Sequence, residues 1–169
     1  MADSKSSEAI TPYNDDIFAG HLSTPISDSA FVRSLINNLP AYRSGVSPLL
    51  RGLEVGMAHG YFAIGPWVLL GPLRDTDASA NIGGLIAGIG LILVATIAMS
   101  AYGLVSFPKD QSKAAYFDDR APEALQTGEG WSQFAGGFFV GAMGGAFVAY
   151  FLLENFDLLD NIMRGIVNS

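Results

Sequence analysis

Three apolar runs separated by two polar loops predict an all-α membrane protein: three transmembrane helices behind a polar N-terminal arm. Two further observations support that class. Charged residues make up 15% of the 169 positions, against the roughly 25% usual in soluble domains. The 20 glycines recur at helical spacing inside the apolar runs. Mean hydropathy is only +0.33 because the arm and the second loop dilute the runs, so local windows carry the signal.

Residues 1–47 form the arm, expected on the cytoplasmic or stromal side. Pro12, Pro25 and Pro40 and the turn-rich step Tyr13-Asn14-Asp15-Asp16 interrupt it. Its start lacks the charged and apolar regions of a secretory signal, so the first span is expected to insert as its own anchor. Between Ser27 and Leu39, the residues Phe31, Leu35, Ile36 and Leu39 fall near one helical face, with Ser27 or Asp28 placed to cap it. A short amphipathic helix and an irregular arm are both compatible with this stretch.

Residues 48–169 form the membrane domain. The first span covers about 49–70, with Trp67 near its exit and Pro66 set to kink or end its last turn. A run of this length suits a hydrocarbon layer roughly 30 Å thick at about 1.5 Å per residue. The short loop GPLRDTDASAN makes the second span, 82–107, antiparallel to the first. A charged loop from Pro108 to Gly130 leads to the third span, 131–153, and Glu154 opens a short amphipathic tail. Three crossings put Lys5, Arg33, Arg43, Arg51, Lys109, Lys113 and Arg120 on the N-terminal side, against Arg74 and Arg164 on the other. Seven against two places the N-terminus on the cytoplasmic side and the C-terminus across the membrane.

Each span carries small residues four apart: Gly52, Gly56 and Gly60; Ala80, Gly84 and Gly88; Gly137, Gly141 and Gly145. In lipid, such ridges let backbones approach closely and gain dispersion and weak Cα hydrogen bonds. Some ridges or bulky faces are expected to meet other subunits or flat ligands, which implies membership of a complex.

Several functions are excluded. No cysteine is present, so disulfides, thiolate catalysis and iron–sulfur ligation are ruled out. A formal charge of −7 argues against a nucleic-acid surface. The chain has no nucleophile and base pair, phosphate loop or dinucleotide fingerprint, and is not expected to be an enzyme.

Glu54 and His59 are the exceptional residues, because ionisable groups inside a span cost on the order of 2.5 kcal/mol or more if charged and unpaired. Their five-residue separation places them roughly 140° apart around the helix and about 7.5 Å apart along it. That disfavours one shared metal, for which spacings of three or four are usual. Separate ligation fits better: imidazole can coordinate a metal axially and a carboxylate can coordinate magnesium, so each can hold one magnesium porphyrin-like pigment. Two other readings remain open. In one, His59 bonds a neighbouring carbonyl and Glu54 is protonated or paired with Arg51. In the other, the two residues form a proton path in a channel or transporter subunit. His21 fits a turn histidine. Glu154, Asp157 and Asp160 fit a solvated acidic face. The turn from Pro72 to Asp77 offers carbonyls with Asp75 and Asp77, an oxygen-rich set suited to calcium.

Four blocks carry a family resemblance: GHLSTPISDSAF (20–31), NLPAYR (38–43), SPLLRGLEVGMAHGYFAIGPWVLLGPLRD (47–75) and WSQFAGGFFVGAMGGAFVAYFLLEN (131–155). They closely resemble the photosystem I reaction centre subunit XI (PsaL) family in its cyanobacterial form. No block falls in the loop 109–129. The resemblance implies a thylakoid subunit with three helices and a lumenal C-terminal tail. It also implies bound chlorophyll a and beta-carotene and a place where photosystem I monomers join into trimers or other oligomers. The implied partners are the photosystem I core and small membrane subunits, further copies of the chain, and thylakoid lipid. Glu54 and His59 fall on the family positions that ligate chlorophyll magnesium, and Pro72 and Asp75 match a loop that holds calcium in some trimeric members.

Overall fold

The computed structural model describes residues 10–13, 16–22, 29–76, 79–107 and 122–166. The chain divides into two compact units, 1–44 and 45–169. Asp77, the loop 108–121 and the capping candidates Ser27 and Asp28 lie outside the described residues.

In the first unit, strand β1 (Ile10–Tyr13) pairs antiparallel with β2 (Asp16–Leu22), Ile10 opposite Leu22 and Pro12 opposite Gly20. This hairpin is an addition to the helical class that the apolar runs predict. Tyr13 and Asp16, the ends of the expected turn step, close it as partners. Helix α1 (Ala30–Asn38) follows, and its cap is Ser29, whose side chain accepts from the Val32 amide at 3.2 Å. Phe31, Leu35 and Ile36 are exposed along it.

The regular elements among the described residues of the second unit are all helices. Helix α2 (Pro48–Leu70) starts with proline in its first turn, where a missing amide hydrogen costs nothing, and Ser47 caps the Leu50 amide. The helix continues through Pro66 and stops at Gly71, so the proline does not end it. Helix α3 spans Ala80–Ser106. A single 3₁₀ turn at Glu123–Leu125 precedes α4 (Gly128–Glu154), whose cap is Thr127. This cap starts α4 three residues before the expected Trp131. The short helix α5 (Phe156–Met163) ends the described chain.

Among the described residues, α3 and α4 are the helices long and apolar enough to cross a membrane by length and composition alone. Helix α2 has the length, but Arg51, Glu54 and His59 lower its apolar character.

Helices α2 and α4 run parallel and mesh through their glycines. A Cβ on Gly52, Gly56 or Gly60 would overlap the carbonyl oxygens of Phe134, Phe138 and Ala142 in turn. Reciprocally, a Cβ on Gly137, Gly141 or Gly145 would overlap those of Leu49, Leu53 and Met57. Helix α3 packs antiparallel: Gly84 sits against Val68 and Gly88 against Ile64. All three predicted ridges are therefore used within the chain. The core where the helices meet holds Ile64, Leu85, Ile92, Phe138, Ala142 and Ala146.

Candidate functional site

Helix α2 sets both ionisable residues relative to the glycine seam. At about 100° per residue, Gly52, Gly56 and Gly60 centre the face that meets α4, and His59 falls roughly 60° from that centre while Glu54 falls roughly 160° from it. Glu54 is half-buried and His59 exposed. Arg51, by contrast, is buried, at 3% exposure.

His59 borders the seam closely enough for its ring to meet Phe138 of α4, with centroids 6.2 Å apart at 54°. Its Nδ1 lies 2.7 Å from the Val55 carbonyl oxygen, one turn earlier. A carbonyl only accepts, so Nδ1 carries the proton and donates. In a neutral ring the Nε2 lone pair is then the coordinating site, as in metal-bound histidines oriented by a second partner. The i, i−4 spacing of Val55 and His59 is the sequence signal that identifies the carbonyl.

Phe62, one turn from His59 on the same side of α2, is 71% exposed, and Met57 and Tyr61, at 46% and 43%, fall on the Glu54 side. No group of three or more His, Asp or Glu side chains able to hold a metal occurs among the described residues. An imidazole with a fixed tautomer, alone on an apolar surface, cannot build a coordination sphere for a bare ion. It fits a metal whose other positions a flat macrocycle already fills, where one axial donor suffices. A magnesium chlorin has that chemistry, and the donor set of α2 fits it.

Pro72 and Asp75 are both exposed in the turn after α2. The Asp75 carboxylate lies 3.5 Å from the Arg74 guanidinium. Together the two residues offer two backbone carbonyls and one carboxylate, short of the 6–8 oxygens that calcium takes. At the far end of α4, Asn81 donates to the Glu154 carboxylate at 3.1 Å and Arg164 to Asp160 at 2.9 Å. His21 lies in β2, opposite Thr11.

Comparison with known proteins places these features in one family. The family model for photosystem I reaction centre subunit XI matches residues 9–158. A photosystem I reaction center subunit XI from a Cyanothece strain is 64% identical over 168 residues, covering 99% of this chain and 100% of that protein. The same subunit from Thermosynechococcus vestitus is 66% identical over 161 residues, covering 95% and 98%. That of Gracilaria tenuistipitata var. liui is 54% identical over 156 residues, covering 92% and 97%.

Proposed function

Since the chain belongs to the photosystem I reaction centre subunit XI family, we propose that it is a non-catalytic, pigment-binding and assembly subunit of photosystem I in the thylakoid membrane. In this reading α2, α3 and α4 all cross the bilayer. The arm lies on the cytoplasmic or stromal side and the tail in the lumen, consistent with the excess of basic residues on the N-terminal side. The weakly apolar α2 is carried by its partners: its glycine face is closed by α4, and its polar side chains acquire ligands.

The single observation that carries the reading is the His59–Val55 hydrogen bond, which leaves Nε2 for coordination where no group of three or more His, Asp or Glu among the described residues could hold a bare ion. His59 and Glu54 each hold one chlorophyll a through its magnesium, on different sides of α2. Bound chlorophyll supplies light absorption and excitation transfer. The chain's residues fix position and exclude water: Val55 sets the imidazole tautomer, Phe138 packs beside the ring, Phe62 provides apolar contact on the His59 side and Met57 and Tyr61 on the Glu54 side. Beta-carotene fits the exposed apolar flanks of α3 and α4, where Val94, Ile97, Leu104 and Val140 are 61–79% exposed. The same outward faces support association with the core, with the small membrane subunits, and between photosystem I monomers.

The test is a structure of the purified particle at a resolution that shows axial ligands. Density for a chlorin on His59 Nε2 and another on the Glu54 carboxylate is the expected result. Particles with no chlorophyll in contact with this chain would overturn the reading in favour of a proton path or a plain structural linker.

A further inference from the structure

We infer that α5 is an interfacial helix that lies flat at the membrane boundary, its apolar side on uncharged lipid. Three observations converge on this. The first is position: α5 begins one residue after α4 ends, with only Asn155 between them. The boundary at that end is marked by the hydrogen bond between Asn81, at the start of α3, and Glu154, at the end of α4. Polar side chains of two apolar helices pair there, so α5 starts where the hydrocarbon stops.

The second is the partition of its side chains. At about 100° per residue, Asp157, Asp160 and Asn161 share an arc of roughly 100°, and Phe156, Leu158, Leu159, Ile162 and Met163 fill the opposite half. Most of that apolar half is left open by the other described residues: Phe156, Leu158, Ile162 and Met163 are 63%, 58%, 50% and 87% exposed. A helix with this split beside a bilayer buries its apolar face at the boundary between headgroups and acyl chains.

The third is charge. Glu154, Asp157 and Asp160 make α5 and its approach acidic, and the two arginines described on this side are already paired, Arg164 with Asp160 and Arg74 with Asp75. Anionic headgroups would be repelled, which selects uncharged ones. A second copy docking on the same face would bring its own acidic arc alongside, which disfavours a contact between identical helices.

The inference rests on α4 crossing the membrane, and retention of the chain in membranes after alkaline washing reports that separately. The test places a photo-activated benzophenone amino acid at Ile162, or at Asn161 on the polar arc, in the assembled photosystem in its native membrane. Adducts are identified by mass spectrometry after irradiation. Lipid adducts of uncharged class at Ile162, absent at Asn161, are expected. Ile162 adducts to a protein, or a lipid yield equal at the two positions, would overturn the inference even where the washed chain stays in the membrane. The variant Ile162→Glu supplies a second measure. The lipid-contacting helix should lose protection from protease at the α5 segment, with the subunit still incorporated. Unchanged protection would count against it.

Discussion

The proton on His59 Nδ1 points at the Val55 carbonyl oxygen 2.7 Å away, so one ring nitrogen is committed inside the helix and the other is left for coordination. A structural histidine and a ligating histidine are thus not alternatives here, because the two nitrogens do different things. Replacing His59 with leucine should remove one chlorophyll per chain while the subunit still assembles, since the tight packing of α2 rests on its glycines. Pigment counting and a map of the variant particle check this, and unchanged pigment content would refute it.

Glu54 and His59 lie on different sides of α2, so their ligands should be lost independently. Glu54→Leu should remove one pigment and leave the His59 pigment in place. The double variant should show the sum of the two losses, as separated sites do. Loss of both pigments in either single variant would mean a shared site.

Gly141 and Gly144 sit one turn apart on α4 in opposite situations. A Cβ at Gly141 would overlap the Leu53 carbonyl, whereas one at Gly144 would meet nothing within 4 Å. Gly141→Leu should cost at least about 3 kcal/mol, the upper end for overpacked cores, because backbone rather than a flexible side chain stands in the way. The subunit should then fail to incorporate. Gly144→Ala should incorporate normally. Equal incorporation of the two variants would contradict the packing.

The cap of α4 is accessible to a milder change. Thr127 Oγ1 accepts from the Gly130 amide at 3.0 Å. Thr127→Ala should destabilise the helix start by about 1 kcal/mol and Thr127→Ser by less. Thermal release of the subunit from the particle measures the difference, and identical behaviour of the two variants would remove the cap from the account.

Much of this architecture is legible in the residues. The ends of α2 follow from Ser47-Pro48 and Gly71, because caps and breakers act through local backbone chemistry, whereas α3 starts at Ala80, two residues before the expected 82, with no side-chain cap to announce it. The start of α4 is harder to read. Thr127 and two glycines, Gly128 and Gly130, look like a loop, and only the cap hydrogen bond turns them into a first turn. The β1–β2 hairpin is also poorly legible, since its strands are short and include Pro12 and Gly20. Its signal is confined to the Tyr13-Asp16 turn step. The glycine ridges announce close packing, but spacing does not name the partner of each, which is why the ridges of α2, α3 and α4 all prove internal. The candidate site is half legible. The offset of Glu54 and His59 puts the two side chains on different sides of α2, while the exposure of His59 depends on where α4 docks.

The α2–α4 seam has a consequence for how the chain is made. Its closest approaches join Gly52 to Phe134 and Gly60 to Ala142, the first long helix to the last, with all of α3 synthesised in between. In a growing chain α2 is therefore complete before the surface that closes its glycine face exists. Helix α3, the most uniformly apolar of the three, has no such dependence on a late partner. Completion of α4 is the step that closes the seam, so the last third of the chain decides whether the first long helix can settle.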